Sequence, residues 1–293
     1  MMLAQNNVAI EQARLHQDMT SPTSGGVDAN GTAVATPESS SSDDDSFGAQ
    51  MILKNQERVR SFVLSGDVGL AYTNNVALTR RGERYDVFAI VDAGLGWSKR
   101  LSDQMEANVS AHASIFRYDR TPSLDFENLG FGAGLSWSPR NVAGVSAFAR
   151  YDFTEMLDRD GGQILMEHAL TVGVQKAIAL GRSHGFVFGT SATAALDDPA
   201  VAQREQIGAF LSYHLQLSRD WSTDVFYRPA VHFYTQNNRT DFNQIVSLGV
   251  HYHMGEAAEF NASLSYGFNR SDRSVFDYDV LTTSAALGLS IRF

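Results

Sequence analysis

Paired histidines are the residues of this chain whose type and spacing come nearest to a chemical motif. His251 and His253 lie two positions apart, and residues two apart in a β-strand project to the same side, so their imidazoles could share a metal ion. The spacing specifies no third ligand. We therefore interpret the pair as histidines that hydrogen-bond to neighbouring groups or to water, and we predict no metal and no cofactor.

A catalytic residue would need an acid, base or nucleophile within hydrogen-bonding reach. Asp224 and Arg228 lie four positions apart, a spacing that favours charges that shape the local field over an acid/base pair. The sequence contains no G-x-S-x-G, H-E-x-x-H or phosphate-binding glycine motif. These observations predict a protein that is not an enzyme.

The C-terminal stretch shows which elements position these side chains. Leu287, Leu289, Ile291 and Phe293 alternate with small or polar residues, the period-2 pattern of a strand with one apolar and one polar face. From Ser61 onward the pattern recurs in about twelve segments of roughly 10 to 14 residues, the length that a tilted strand needs to cross a bilayer. The sequence therefore predicts an all-β fold: a transmembrane, antiparallel, up-and-down β-barrel of about 12 strands.

The face of these strands that is opposite to the apolar one carries charges of both signs among many small residues. Such an interior is typical of a hydrated barrel lumen crossed by ion pairs. We predict that the following residues line the pore: Asp67, Asp92, Glu106, His112, Arg150, Asp224, Arg228, His232, His251 and His253.

Aromatic residues gather at the ends of the predicted strands, where aromatic girdles of membrane barrels lie. We predict that Trp97, Trp137, Trp221, Tyr72 and Tyr85 belong to these girdles. Short connections alternate with longer polar ones, among them residues 235–242. Since short turns are periplasmic in outer-membrane barrels, both termini are predicted to be periplasmic.

Composition excludes several other classes of protein. The chain has 293 residues and no cysteine, which rules out disulfides, thiol catalysis and thiolate metal sites. A formal net charge of -10 argues against nucleic acid as a partner. Mean hydropathy is slightly negative at -0.20, as expected when lipid-facing and lumen-facing residues alternate.

Residues 1–60 differ in composition from the rest and are predicted to form a disordered, low-complexity periplasmic extension, with the barrel spanning 61–293. The stretch from Ala4 to Met19 could form a weak helix, and Thr20 to Asp45 is rich in Ser, Thr, Gly and Asp. Met51 to Arg60 could form a short helix that enters the barrel. No complete signal peptide is present at the start, so we expect the native start to differ.

Two motifs resemble outer-membrane barrels of Gram-negative bacteria. The end of the chain resembles their C-terminal assembly signal at Gly288, Ile291 and Phe293, and the glycine-rich run from Gly66 to Val76 resembles the first strand of loosely defined β-barrel porins. This resemblance implies a bacterial outer-membrane location, contact with outer-membrane lipid and recognition by the barrel-assembly machinery.

The leading hypothesis from the sequence is an outer-membrane barrel that forms a pore for small hydrophilic solutes or anchors an export assembly, with a periplasmic or export partner left unidentified. One alternative is the translocator domain of an autotransporter, whose twelve-stranded barrel also ends in Phe and holds a helix in its pore. The other is a lipid-modifying enzyme that resembles the twelve-stranded outer-membrane phospholipases. That enzyme class needs a lipid-facing histidine, and His168 is the only histidine within a segment that fits.

Overall fold

Twelve strands and one α-helix make up the computed structural model, which describes residues 2–20, 61–181, 183–236, 238–255 and 257–293. Helix α1 is Met2–Thr20. The strands are β1 Phe62–Thr73, β2 Asp86–Ser102, β3 Met105–Tyr118, β4 Phe126–Trp137, β5 Val145–Asp158, β6 Gln163–Ala179, β7 His184–Asp198, β8 Arg204–Gln216, β9 Trp221–Tyr234, β10 Arg239–His253, β11 Ala258–Ser271 and β12 Tyr278–Arg292.

The strands form one closed barrel in which each pairs antiparallel with its neighbour in sequence and β12 returns to β1. The seam continues beyond β12, because the Phe62 amide donates to the Phe293 carbonyl at 3.1 Å and the Phe293 amide donates to the Phe62 carbonyl at 3.0 Å. Closure leaves no free sheet edge, which is the condition for a sheet to cross a membrane. The predicted fold, a 12-stranded up-and-down barrel, is confirmed.

The outer wall is apolar and exposed. Leu289, Ile291 and Phe293 retain 62%, 55% and 60% of their accessible surface, and the outward positions of the other strands behave in the same way. A water-soluble protein would bury such residues in a core, whereas a membrane barrel turns them towards lipid. The alternation seen in the sequence therefore corresponds to a lipid face and a lumen face.

One predicted connection is wrong. Residues 235–242 were expected to form a longer polar loop, but β10 already begins at Arg239. Arg239 and Asp241 are strand residues whose side chains are buried inside the barrel. Their polarity reflects partners in the lumen and not exposure in a loop.

Helix α1 lies inside the barrel, in the half nearer the links that follow the odd-numbered strands, such as residues 74–85 and 199–203. We call this the upper half, and the opposite end, where Ser61 lies, the lower end. No helix among the described residues is long and apolar enough to span a membrane. Helix α1 includes the stretch from Ala4 to Met19, for which a weak helix was expected within the extension. Apart from Thr20, which ends α1, the stretches from Thr20 to Asp45 and from Met51 to Arg60 lie outside the described residues.

Apolar side chains of α1 are buried against inward-facing residues of the wall. Ile10 and Ala13 belong to a cluster that includes Phe88, Phe116 and Phe126. Further along the helix, Leu15 and Met19 cluster with a second set of wall residues, Leu78, Ile245, Tyr278 and Val280. The sequence of α1 is only weakly amphipathic, but the lumen covers it on several sides at once, so burial stabilises a helix that would be marginal in water.

Candidate functional site: the lumen and its helix

Helix α1 spans the upper half of the lumen from one side of the barrel to the other. Its side chains contact the wall in several directions. The His16 ring lies edge-on to Phe116 on β3, with ring centroids 5.0 Å apart. The amide of Gln12 donates to the carbonyls of Asn75 and Val76, at 3.2 and 2.8 Å, in the link between β1 and β2. A helix in contact with the wall on opposing sides narrows any path for solute at this level.

Arg14 connects α1 to β6 and β7. Its guanidinium lies 2.5 Å from a carboxylate oxygen of Glu167 and 2.8 Å from one of Asp197, and it also donates to the carbonyl of Ala202 at 3.0 Å. The Arg14 side chain is only 5% exposed. A buried cation with two carboxylate partners is stable in place, and removing the partners would leave an uncompensated charge.

The acids of α1 face the arginines of three adjacent strands. Asp18 pairs with Arg228 on β9. Glu11 lies 3.9 Å from both Arg204 on β8 and Arg239 on β10, and it accepts a hydrogen bond from the Tyr234 hydroxyl at 3.0 Å. On this side of α1, basic residues of the wall pair with acidic residues of the helix. At Arg14, a basic residue of the helix pairs with acidic residues of the wall.

The basic wall residues form one contiguous surface because of strand register. Arg204 and Arg239 both lie directly opposite Tyr234, one on each neighbouring strand. His232 and Arg228 follow on the lumen face of β9, and Arg204 lies 3.5 Å from the His232 ring. We call Arg204, Arg228, His232 and Arg239 the arginine face.

A second polar group lies near the lower end of the lumen. Asp224 accepts from His214 at 2.7 Å and from His251 at 2.9 Å. The other ring nitrogen of His251 lies 3.2 Å from Glu259, and His253 lies 2.7 Å from the same carboxylate. These five side chains form a chain of alternating imidazoles and carboxylates along β8 to β11. Both ring nitrogens of His251, and one each of His214 and His253, have an acidic partner.

Further charges of the lower half lie on β1 to β5. Asp67 and Asp92 are directly opposite in the register of β1 and β2. Arg150 donates to Asp152 at 2.7 Å. The His112 ring fills the space above Gly130, where a side chain would collide with it. This part of the wall is thus lined by polar groups that are only half-buried.

The structure places the predicted pore-lining residues on the lumen side, by strand parity and by their partners, and divides them into two groups. Arg228 and His232 belong to the arginine face beside α1. The other residues lie at mid-strand or nearer the lower end: Asp67, Asp92, Glu106, His112, Arg150, Asp224, His251 and His253. A role for any of them in solute passage stays a prediction.

The predicted girdle residues lie on the outer wall at two levels. Trp97, Trp137 and Trp221 are near the lower ends of β2, β4 and β9. Tyr72 and Tyr85 are at the opposite end, with ring centroids 6.2 Å apart. Among the assembly-signal residues, Ile291 and Phe293 face outward, whereas Gly288 faces inward beside Asp67. The role of these residues in assembly stays a prediction.

His168 lies on the outer wall, where the enzyme alternative needs a histidine. Its Nδ1 is 2.7 Å from the Tyr151 hydroxyl, and its ring packs beside Phe153 with centroids 5.1 Å apart. No serine hydroxyl is recorded as its partner in the described part of the chain. The contacts of His168 are those of a polar side chain accommodated between aromatic residues.

Sequence reasoning missed the residues that hold α1 in the lumen. The wall partners Glu167, Asp197, Arg204 and Arg239 were not among the predicted pore residues. One signal was available: Phe88 and Ile90 share strand parity with Asp86 and Asp92, so large apolar residues point into the lumen. Such residues need an apolar partner there, and α1 is that partner.

Comparisons with known proteins bear on the fold. The chain matches no protein-family model and no curated protein. Among solved structures, an outer-membrane channel from Pseudomonas putida F1 superposes with a TM-score of 0.56 at 10% sequence identity, and the match covers 79% of this chain and 96% of that one. This likeness shows that the chain has the fold of outer-membrane β-barrels.

Two other solved structures are similar at lower scores. The translocator domain of the autotransporter NalP from Neisseria meningitidis gives a TM-score of 0.46 at 10% identity, covering 80% of this chain and 88% of that one. The KdgM porin gives a TM-score of 0.40 at 8% identity, covering 78% and 99%. Scores below 0.5 do not support any inference about this chain.

Proposed function

We propose that this chain is an outer-membrane β-barrel that forms a pore for small hydrophilic solutes, and that solute passes when α1 moves away from the wall. The observation that carries the proposal is the closed barrel with a charged lumen, in which α1 is held by ion pairs. A barrel that served only as a scaffold would gain nothing from polar groups lining its lower half. Apolar contacts also hold α1, but its ion pairs can be exchanged for contacts with water or solute when the helix leaves.

Conductance in planar bilayers tests this function directly. The substitution Arg14→Glu places a third carboxylate against Glu167 and Asp197, so repulsion should displace α1. We expect the full-length native chain to show low or brief conductance and Arg14→Glu to conduct steadily. The matched control is Arg140→Glu, because Arg140 lies in the link 138–144 outside the lumen, with a side chain that is 68% exposed.

The outcomes separate the parts of the proposal. A silent Arg14→Glu barrel that inserts normally would remove the pore function and favour an anchor for an export assembly. A native chain that conducts as strongly as Arg14→Glu would show that α1 does not obstruct the lumen. Equal effects from Arg140→Glu and Arg14→Glu would show that the change is not specific to the helix.

A second candidate function is favoured by α1 itself. A helix held inside a 12-stranded barrel is also the arrangement expected for an autotransporter translocator, in which the helix connects to an exported passenger. A reporter domain fused ahead of residue 1 distinguishes the two. Surface display of the reporter would support the translocator, and retention of the reporter with steady conductance of Arg14→Glu would support the pore.

Topology and partners complete the proposal. We place the lower end, with Ser61 and Phe293, in the periplasm, because outer-membrane barrels keep their short turns on the periplasmic side. The exposed outer wall would contact outer-membrane lipid, and the final strand would be recognised by the barrel-assembly machinery. The proposal includes no nucleic-acid partner and no enzymatic activity. If the protein hydrolysed labelled phospholipid and His168→Ala abolished this turnover, the absence of enzymatic activity from the proposal would be contradicted.

A further inference from the structure

Helix α1 carries carboxylates beside the densest positive charge of the wall. The arginine face holds three guanidinium groups on adjacent strands, and in the described residues Asp18 is the one acid recorded in contact with Arg228. Arg228 and Arg239 are 5% and 6% exposed, so the surrounding water does little to compensate these charges. Arg239 also has a partner on its own strand, Asp241, at 3.2 Å. If α1 left, Arg239 would keep this partner, but Arg204 and Arg228 would need an anion from another source.

The arginine face is not saturated by the helix. Arg239 Nε and His232 Nε2 are buried and have no hydrogen-bond partner among the described residues. Glu11 stands 3.9 Å from both Arg204 and Arg239, which is longer than a hydrogen bond. The helix therefore places negative charge near this surface without forming hydrogen bonds to all of its nitrogens. A free anion could accept hydrogen bonds from the nitrogens that α1 leaves unpaired.

The pairing on the other side of α1 has the opposite sign. Arg14 meets Glu167 and Asp197 on β6 and β7, next to the arginine face on β8 to β10. Without α1 the wall would carry two acids on one arc and, at the same level on the adjoining arc, three arginines with one acid, Asp241. An anion entering the lumen would be attracted to one arc and repelled by the other, which orients it as well as binding it.

We propose that the arginine face is a binding site for carboxylate-bearing anionic solutes, and that Glu11 and Asp18 of α1 occupy it as internal substitutes for the solute. The two residues lie seven positions apart, on one face of the helix and about 10 Å apart along its axis. The site therefore suits solutes with more than one carboxylate. Such a solute competes with α1, so its arrival and the release of the helix are coupled. This inference rests on the proposed pore, since it names the solute that the pore admits.

Citrate binding to the full-length chain tests the proposal by calorimetry. Glu11→Gln together with Asp18→Asn removes the internal carboxylates and keeps the length of the chain. We expect this double variant to bind citrate at least tenfold more tightly than the native chain. Adding Arg228→Gln and Arg239→Gln to the double variant should abolish citrate binding. The control is Arg150, a lumen arginine on β5 that pairs with Asp152; adding Arg150→Gln to the double variant should leave citrate binding unchanged.

The results have distinct meanings. Equal citrate affinity in the native chain and in Glu11→Gln/Asp18→Asn would overturn the competition between solute and helix. Binding that survives the loss of both arginines, or that is lost equally with Arg150→Gln, would overturn the site. Binding is measured without conductance, so a silent barrel that binds citrate through these arginines would remove the pore and leave the anion site standing. Trehalose serves as the neutral probe and should not bind in any variant.

Discussion

Arg228, on the lumen face of β9, pairs with Asp18 on the last turns of α1. The Arg228 side chain is buried and that of Asp18 is partly buried, with 7% and 14% of their surface exposed. Arg228 was predicted to line the pore, whereas Asp18 was predicted to belong to the N-terminal extension. Their ion pair holds the helix inside the lumen.

Docking of α1 should protect the chain from trypsin at Arg14. The Arg14 side chain is 5% exposed, so cleavage requires the helix to leave its site. In Glu11→Gln/Asp18→Asn we expect cleavage after Arg14 to accelerate about tenfold or more, since 1.4 kcal/mol of lost docking energy corresponds to a factor of ten. The measurement is mass spectrometry of timed digests.

The internal control for the digest is Arg219, which is exposed in the link between β8 and β9. Its cleavage rate should be the same in the native chain and in the double variant. Cleavage after Arg14 at the native rate in the variant would mean that Glu11 and Asp18 do not hold the helix.

Deletion of residues 1–45 should leave a barrel that still forms. All strand pairs and the seam between Phe62 and Phe293 lie in the remaining chain. The truncated barrel should melt at a lower temperature than the native one, because Arg228 and the acids Glu167 and Asp197 lose partners in the lumen. Gel migration with and without heating measures both properties, and failure to insert would show that the N-terminal residues are needed for assembly.

Gly267 on β11 should be required for the close approach of α1. A β-carbon there would lie 3.2 Å from the Met19 side chain and 3.3 Å from that of Leu15. Gly267→Val should therefore displace the helix at a cost of about 1–3 kcal/mol and raise trypsin cleavage after Arg14. Gly185→Val is the matched control, because nothing lies within 4 Å of a β-carbon at that position. Equal cleavage in the two variants would contradict the packing.

Replacement of Phe293 by Asp should reduce insertion into the membrane. The Phe293 ring stacks on Phe62 with centroids 5.7 Å apart and faces outward at the seam. A charge on the lipid face costs about 2–4 kcal/mol at the bilayer midplane and less near the interface, so the yield of folded barrel should fall while synthesis continues. Fractionation of membranes measures the yield. Normal yield would contradict a role for this end of the chain in assembly.

Alternation along the strands was enough to predict the barrel. Each residue on a strand has either lipid or lumen as its neighbour, so apolar and polar residues alternate along strands such as β4 (Phe126–Trp137) and β9 (Trp221–Tyr234). The contents of the lumen were not predictable in the same way. Arg14 and Asp18 lie 48 and 44 positions before Phe62, where β1 begins. Their places in the lumen follow only from their partners on distant strands, such as Glu167 and Arg228.

In the lower lumen, too, the sequence did not predict which side chains would be in contact. His251 and His253 were correctly placed on one strand face, but their partner Glu259 lies on β11 and was not among the predicted residues. Strand parity gives the face of a residue, whereas register and barrel closure decide which groups meet. For this reason the sequence predicted which residue types line the lumen but not which side chains contact each other there.

Exchange of the charges of Asp18 and Arg228 tests most directly whether α1 is held in the lumen by this pair. Single-channel conductance would be recorded for Asp18→Arg, for Arg228→Asp and for the double variant, each in the full-length chain. The account predicts that each single change raises the conductance, because like charges then face each other, and that the double variant returns to the low native level. A double variant that conducts like the single ones, or single variants that match the native chain, would contradict it.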